Sequence, residues 1–184
     1  EQKIYTSKRV SARVHVKRTN TYSCLEIDFV MKVPKCLKNG KRSEELVELR
    51  VHEEVYLYTG VPRIDINLLV DNRALNHRLR VAFPTNLNVA YSAADSHYYV
   101  IKRAVTPPLG RGWKESPAVD HPMIYWVDVS DGFHGVMFAT RGLPEYKLEP
   151  DGTLYLTLLR SVGVLLESDL STRTGVTNLK IPTP

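Results

Sequence analysis

Residues 61 to 85 constrain the fold most strongly, because they form two runs in which apolar and polar side chains alternate. The apolar positions are Ile64, Ile66, Leu68 and Val70 in the first run, and Leu79, Val81 and Phe83 in the second. A period of two is typical of half-buried β-strands. The connection from Asn72 to His77 holds more hydrogen-bonding side chains than a plain turn requires. It is either a corner whose backbone needs side-chain partners or a surface on which a polar partner docks.

The same alternation runs through most of the chain and predicts an all-β protein with no substantial helix. Windows long enough for a helix are interrupted by Gly, by Pro or by two-residue alternation. Further strands are predicted near residues 12–16, 26–33, 47–58, 98–103, 124–129, 135–140 and 154–162. Turns are marked by Asn-Gly, Asp-Gly, Arg-Gly and Thr-Gly pairs, and residues 104–122 are interpreted as a long surface loop. The strand spacing predicts a large antiparallel β-sandwich, with residues 1–184 as a single domain.

Composition narrows the class of protein further. Hydrophobic residues make up 43% of the 184 residues, which supports a packed core and excludes disorder. The net charge is +5, but Lys and Arg are scattered, so we expect no nucleic-acid partner. No apolar run reaches the roughly 18 residues of a membrane span, and no secretory signal opens the chain. We therefore expect a cytoplasmic protein, and the start at Glu1 suggests a piece of a longer one.

Few side chains match the motifs of known enzymes. The sequence has no nucleophile elbow, phosphate-binding glycine loop or HExxH zinc motif. Cys24 and Cys36 lack His partners at zinc-ligand spacing, and in the cytosol we expect both to be reduced. Acidic pairs such as Glu53-Glu54 are interpreted as surface carboxylates, because adjacent strand residues point to opposite faces. The residues alone therefore indicate neither a zinc site nor any of these enzyme templates.

Six collinear strings suggest a family. They are VDNRALNHRLRVAFPT (70–85), ADSHYYVIKR (94–103), HPMIYWVDVSDG (121–132), RGLPEYKL (141–148), LTLLRSVGVL (156–165) and DLSTRTG (169–175). In order and spacing they resemble the C-terminal β region of glycoside hydrolase family 38, the α-mannosidases. The resemblance covers nearly the whole chain from about residue 41 onward.

The resemblance implies a parent enzyme rather than an enzyme in this chain. Family members are retaining α-mannosidases with an Asp nucleophile, an acid/base carboxylate and a divalent metal, usually zinc. These groups belong to an N-terminal barrel, of which this sequence shows no part. The implied partners are that barrel and an α-mannoside substrate, and the isolated chain is expected to be inactive. The family's β region also continues beyond Thr183-Pro184, which resembles a boundary of an excised fragment.

The resemblance also suggests which side chains reach the substrate. In related enzymes the β region lends a few side chains to the rim of the pocket, and the planar fork of Arg suits hydroxyl or carboxylate groups. Arg160 and Arg173 are the candidates. Independently of the resemblance, Trp113 in the proline-rich loop is predicted to be an exposed aromatic on which a sugar ring could stack. For Arg160 the alternative is a buried ion pair with a neighbouring strand, and for Arg173 it is loop scaffolding. Val176 to Asn178 departs from the family pattern, which weakens the transfer to Arg173.

Other polar residues are expected to support the fold. His77 and Arg78 are predicted to brace the 71–77 corner against Asp71 and Asn72, because a bend leaves backbone groups without partners. Glu145 and Tyr146 are expected to support the turn from Gly142 to Pro144 in the same way. Two alternatives from other classes stay open at this point. One is a carbohydrate-binding module that uses Trp113 and nearby tyrosines, and the other is an oligomerisation module that forms a homo-oligomer and binds no ligand.

Overall fold

The computed structural model describes residues 4–38, 40–112, 117–162, 164–167 and 180–182. This part of the chain contains one 3-10 turn, Ser7–Arg9, and otherwise only β-strands. The strands are β1 (Ala12–Arg18), β2 (Tyr22–Pro34), β3 (Leu37–Lys38), β4 (Lys41–Arg42), β5 (Leu46–Tyr58), β6 (Ile64–Asp71), β7 (His77–Pro84), β8 (Tyr91–Ser96), β9 (Tyr99–Ala104), β10 (His121–Pro122), β11 (Trp126–Ser130), β12 (Gly135–Ala139), β13 (Glu145–Leu148), β14 (Thr153–Ser161), β15 (Val164–Glu167) and β16 (Lys180–Pro182). The predicted all-β class is confirmed.

The described residues form two compact units, with the boundary between His77 and Arg78. The first unit contains β1 to β6, and the second contains β8 to β16 and all of β7 except its first residue. The prediction that residues 1–184 form a single domain stays a prediction. Within the described ranges, no helix is long and apolar enough to cross a membrane.

The first unit is built on one antiparallel sheet with the strand order β1-β2-β5-β6. Its central strands β2 and β5 are 13 residues long and pair along their full length. The predicted hairpin between β5 and β6 is confirmed, and Gly60 in its turn has a φ of +76°. Two short strands, β3 and β4, form a separate hairpin around Gly40. Cys24 is buried in this unit, and neither Cys24 nor Cys36 forms a disulfide.

The register of this sheet separates apolar from polar side chains. Val51 faces Phe29 on one side and Val70 on the other, so their side chains share a face. In β6 this face carries Ile64, Ile66, Leu68 and Val70, as the alternation predicts. The opposite face carries charged residues such as Asp28 and His52, which lie opposite each other and are joined by a hydrogen bond of 2.8 Å.

The second unit is a β-sandwich. Its two four-stranded sheets have the orders β10-β13-β14-β7 and β12-β11-β8-β9. Buried side chains from both sheets pack into one core, which confirms the sandwich expected from the strand spacing. The core residues are Val89, Ala94, Met123, Val127, Val129, Tyr146, Leu148, Leu154 and Leu156.

One glycine in the second unit is required by close packing. Gly152 lies in the turn between β13 and β14 with a φ of +79°, and a Cβ there would clash with the carbonyl oxygen of Leu87. The Gly152 carbonyl also accepts a hydrogen bond of 2.7 Å from the Thr85 hydroxyl. This turn therefore ties the end of β7 to the β13–β14 hairpin.

Candidate functional site

Charged side chains gather where the sheet β10-β13-β14-β7 brings four separate segments together. Alternation along β7 places Arg78 and Arg80 on the same face of the strand. Asp120 directly precedes β10, Glu145 begins β13, and Arg160 lies near the end of β14. We refer to these five residues as the arginine–carboxylate cluster.

Each carboxylate of the cluster is shared between two cations. Asp120 accepts a hydrogen bond of 2.8 Å from Nη1 of Arg78, and it also accepts one from Nη2 of Arg80. Glu145 lies 3.3 Å from Nη1 of Arg78 and 3.3 Å from Nη1 of Arg160. Arg78 thus bridges the two carboxylates. With three guanidinium groups and two carboxylates, the cluster has one excess positive charge at neutral pH.

Exposure divides the three arginines into two kinds. The side chains of Arg80 and Arg78 are 18% and 25% exposed, whereas the side chain of Arg160 is 58% exposed. A partly buried charge must keep its ion partners, because water cannot replace them. Arg78 and Arg80 therefore hold the strands together, and Arg160 is the member that can contact another molecule.

The carboxylates of the cluster are poorly suited to proton transfer. Burial by itself would raise the pKa of Asp120, but the hydrogen bond from Arg78 and the positive charges of Arg80 and Arg78 outweigh it and lower the pKa. A general acid needs a pKa near the working pH, which is the opposite direction. Glu145 also accepts a hydrogen bond of 2.6 Å from the Thr157 hydroxyl, so its oxygens are occupied. The arrangement suits binding rather than catalysis.

A groove of about 540 Å³ lies beside the cluster. It is lined by Asp120, His121, Pro122, Gly142, Pro144, Glu145, Thr157, Leu158, Leu159 and Arg160. Burial and then the positive charge of Arg103 lower the pKa of His121, so its imidazole is neutral at pH 7. Arg160 and a neutral imidazole can donate hydrogen bonds to hydroxyl groups or to a carboxylate, whereas the Thr157 hydroxyl already donates to Glu145.

The described part of the chain contains no group of three or more His, Cys, Asp or Glu side chains that could hold a metal ion. The described residues therefore do not form a site for the divalent metal that the family resemblance implies for the parent enzyme. No step of a reaction is assigned to a metal within this chain.

The structure places only some of the predicted substrate-binding residues. Arg160 forms an ion pair with Glu145 of the neighbouring strand β13, which is the alternative considered from the sequence, but the pair is exposed on the Arg160 side. Trp113 and Arg173 lie outside the described residues. Their predicted roles stay predictions.

Asn72 supports the corner between β6 and β7. Its side-chain oxygen accepts a hydrogen bond of 3.2 Å from the Ala74 amide, and its side-chain nitrogen donates one of 3.2 Å to the Ala74 carbonyl. The carbonyl of Asn76 accepts a hydrogen bond of 2.7 Å from Arg42. Asn76 has a φ of +57°, a conformation that Asn tolerates better than most residues. Two asparagines and an arginine thus stabilise this corner.

The prediction that Arg78 braces the corner against Asp71 and Asn72 is wrong. Arg78 bonds with Asp120 and Glu145, whereas Asp71 pairs with Arg73 at 3.0 Å. The reason is that neighbouring residues of a strand point to opposite faces, so Arg78 reaches across its own sheet instead of back to the corner. His77 is half-buried, and burial followed by the positive charge of Arg42 lowers its pKa. Neither ring nitrogen has a hydrogen-bond partner among the described residues.

Glu145 and Tyr146 connect different parts of the sandwich. The fully buried Tyr146 ring lies 5.7 Å from the His121 ring, and its hydroxyl lies 2.9 Å from the hydroxyl of Ser92 on the other sheet. Nη1 of Arg103 also donates to this hydroxyl, at 3.3 Å. Tyr146 is therefore part of the core, and its ring packs near His121, which lines the groove. Its contacts extend far beyond the turn to which the sequence assigned it.

Sequence reasoning missed Arg80, Asp120, His121 and Thr157. A signal was present for Arg80, because Arg78 and Arg80 alternate with apolar residues in one strand. Asp120 lies in a proline-rich stretch, 40 residues from Arg80, and no local pattern marks it. Asp95 was also missed, although its carboxylate accepts hydrogen bonds from three successive backbone amides, those of residues 124–126.

Comparison with known proteins identifies the family. The model of the glycosyl hydrolases family 38 C-terminal domain matches residues 1–164. A relative from Halalkalibacterium halodurans, named "Putative mannosylglycerate hydrolase", is 37% identical over 128 residues, which is 70% of this chain and 14% of the relative. This chain thus spans about a seventh of that relative's length.

Two solved structures from Enterococcus faecalis share the fold. One is described as an α-mannosidase and has a TM-score of 0.80 at 25% identity, and the other is described as a protein of glycosyl hydrolase family 38 and has a TM-score of 0.77 at 24% identity. Each match covers 89% of this chain and 20% of the other. Since the family model covers most of the sequence, the chain belongs to the C-terminal domain family of the family 38 glycosyl hydrolases.

Proposed function

We propose that the chain is the C-terminal β part of a retaining α-mannoside hydrolase, which packs on a separate catalytic barrel and helps to line its substrate pocket. The match over residues 1–164 and the likeness to an α-mannosidase structure support the proposal. The catalytic carboxylates and a divalent metal, zinc in the usual case, then lie in the barrel. The proposal includes a cytoplasmic location, for which the buried, free thiol of Cys24 is suitable.

The observation that carries the substrate-lining role is the exposed guanidinium group of Arg160 at the edge of a groove. Its ion pair with Glu145 spans 3.3 Å and restrains the side chain while leaving other N–H groups to donate. A carboxylate accepts such donors in a planar, bidentate geometry, whereas a sugar hydroxyl accepts them through its one oxygen. Arg78 holds Glu145 from the other side, so the position of Arg160 depends on the cluster.

Two substrate classes follow from the relatives. An α-mannoside would present hydroxyl groups to Arg160, as the family likeness suggests. A mannosylglycerate, the substrate in the name of the relative that is 37% identical, would also present an aglycone carboxylate. A charge-assisted hydrogen bond to that carboxylate is about twice as strong as a neutral one. Arg160 would then discriminate between the two classes.

The experiment uses the full-length polypeptide, purified with zinc and assayed with 4-nitrophenyl α-mannoside and with mannosylglycerate. Arg160→Ala is expected to raise KM about tenfold or more, which corresponds to the loss of about 1.4 kcal/mol of binding. Arg160→Lys should recover the charge but not the bidentate geometry. Arg141→Ala, at an exposed arginine in the turn after β12, is the matched control and should leave KM unchanged.

The outcomes separate the alternatives. Unchanged kinetics in Arg160→Ala would remove Arg160 from the substrate site. Absence of glycosidase activity in the full-length polypeptide, combined with saturable binding of mannosides to the chain alone, would favour a carbohydrate-binding module. Activity in residues 1–184 alone would contradict the placement of catalysis outside this chain.

A further inference from the structure

The first-unit sheet has an apolar face that is only partly covered. Met31, Leu49 and Val51 lie on this face and are buried. Farther along the same face, seven apolar residues are between 37% and 60% exposed. They are Val14, Val16, Leu25, Leu57, Ile64, Ile66 and Leu68, and we call them the open apolar face. The strand register places all seven on one side of the sheet.

The open apolar face is large for a surface that stays in water. Its side chains present on the order of 500 Å² of apolar area, which lies near the upper end of what monomeric proteins expose in one patch. A sheet with one apolar face normally buries that face against another layer. The second unit shows the usual outcome, because its two sheets share one buried core. The open apolar face is thus expected to be covered by another layer.

A carboxylate lies within this face. Glu53 is opposite Ile27 on one side and Leu68 on the other, and Val51 and Val55 flank it along β5 on the same face. Within the part of the chain that the structure describes, the Glu53 carboxylate forms no hydrogen bond or ion pair. Covering a charged group with apolar atoms is costly unless an opposite charge comes with the cover.

We infer that the open apolar face is covered by a neighbouring domain of the same polypeptide, which places a Lys or Arg against Glu53. The inference rests on the proposed function in one respect, since it requires that the chain is part of a longer protein. The length of the relatives supports it, because this chain covers only 14% to 20% of each of them. Apolar contact supplies the affinity, and the charge pair at Glu53 sets the orientation.

The area and the charge both disfavour a second copy of the chain as the cover. Burying about 500 Å² on each side gives about 1,000 Å², which is in the range for interfaces between domains of one chain but below the about 1,600 Å² of a standard complex. A tethered domain needs less area because its effective concentration is high. A two-fold dimer through this face would also bury two Glu53 carboxylates against apolar surface.

The first test labels exposed carboxyl groups of the native full-length polypeptide with carbodiimide and glycine ethyl ester, followed by mass spectrometry. We expect Glu53 to react at least about tenfold more slowly than in the urea-unfolded polypeptide, since a covered group reacts only through local opening. Glu44 is the control, because it is exposed in the same unit and should react at nearly the same rate in both states. Labelling of native Glu53 as fast as Glu44 would overturn the inference.

The second test compares two substitutions in β6 of the full-length polypeptide. Ile64 is 60% exposed on the apolar face, and Leu69 is 70% exposed on the opposite face. If a domain covers only the apolar face, Ile64→Asn should lower Tm by several degrees or prevent folding, while Leu69→Asn should change Tm little. Equal, small shifts in Tm would overturn the inference.

Mass measurement by light scattering distinguishes a neighbouring domain from a second copy of the chain as the layer that covers the apolar face. A monomer, or an oligomer whose mass Ile64→Asn leaves unchanged, is the expected result. A dimer that Ile64→Asn dissociates would overturn the inference in favour of a second copy. Failure of the proposed function is distinguishable, because α-mannosidase activity is measured independently of Glu53 labelling. An active enzyme with freely labelled Glu53 contradicts only the inference. An inactive protein with protected Glu53 contradicts only the proposed activity.

Discussion

The two units use the same alternation of apolar and polar residues with different results. In the second unit the apolar sides of two sheets face each other, and Val127, Leu154 and Tyr146 are completely buried. In the first unit a single four-stranded sheet has a polar face with ion pairs and an apolar face with large exposed side chains. Period-two alternation therefore specifies a half-buried strand, but a second layer must be available before the burial occurs.

The units also differ in how charges are paired. The Asp28–His52 pair of the first unit is exposed on both sides, with side-chain exposures of 56% and 40%. The arginine–carboxylate cluster of the second unit is largely shielded, and its members are linked in a chain through shared carboxylates. Exposed pairs contribute about 0–1 kcal/mol, whereas the loss of one partner from a shielded pair costs more. Three substitution or titration experiments test these differences in burial and in charge pairing between the two units.

The largest effect is expected in the core of the second unit. Leu154 is 0% exposed, so Leu154→Ala should lower the free energy of unfolding by about 3 kcal/mol through lost burial and the cavity left behind. Leu57 in the first unit is 55% exposed, and Leu57→Ala in residues 1–184 should cost far less. Urea denaturation of both variants checks the contrast. Equal losses would mean that the exposed position is covered in solution.

A smaller effect is expected in the arginine–carboxylate cluster. Arg80→Ala leaves Asp120 with Arg78 alone and should cost about 1–2 kcal/mol. The folded pKa of Asp120 lies below its ordinary value of 3.8, so this stabilisation is complete above that pH and is lost as pH falls through the folded pKa. The stability difference between wild type and variant should therefore shrink below about pH 4.

The matched control is Arg63→Ala, because Arg63 forms an exposed pair with Asp65 in the first unit. It should change stability little at any pH. Urea midpoints of both variants, measured between pH 2.5 and pH 7, check the prediction. An Arg63→Ala loss as large as that of Arg80→Ala would contradict the contrast between shielded and exposed pairs.

The smallest effect concerns histidine titration. The hydrogen bond with Asp28 raises the pKa of His52 above 6.5, whereas burial lowers the pKa of His121 below 6.5. NMR titration of the ring protons should resolve the two on opposite sides of that value, and Asp28→Asn should lower only the pKa of His52. The stabilisation from His52 is present below pH 6.5 and is lost as pH rises through its folded pKa. A shift of His121 in Asp28→Asn would contradict the assignment.

Much of the strand pattern could be predicted because it is local. Strands β1, β2, β5, β6 and β7 follow clear alternation, and the turns at Gly60, Gly132 and Gly152 follow their residue types. Strand β8 was missed because Tyr91–Ser96 consists mainly of small and polar residues. Its pairing with β11 and β9 stabilises it, and no pattern within six residues reports that pairing.

The candidate site was less predictable than the fold. The family strings pointed to Arg160, and the structure adds its ion pair with Glu145, 15 residues away. Arg78 was assigned to the wrong partners, because a nearby carboxylate in the sequence was preferred to Asp120, which lies 42 residues away. An arginine and a carboxylate attract each other at any sequence separation, so only the strand order decides which ones meet.

By itself, the sequence determined the all-β class, the faces of the long strands and membership of a glycosidase family, because side-chain alternation and motif order are written along the chain. The tertiary structure alone decided that Arg78 bridges Asp120 and Glu145, that Tyr146 links the two sheets, and that Glu53 lies in an exposed apolar face. These features depend on strand order and register, which arise from packing between segments far apart in the sequence.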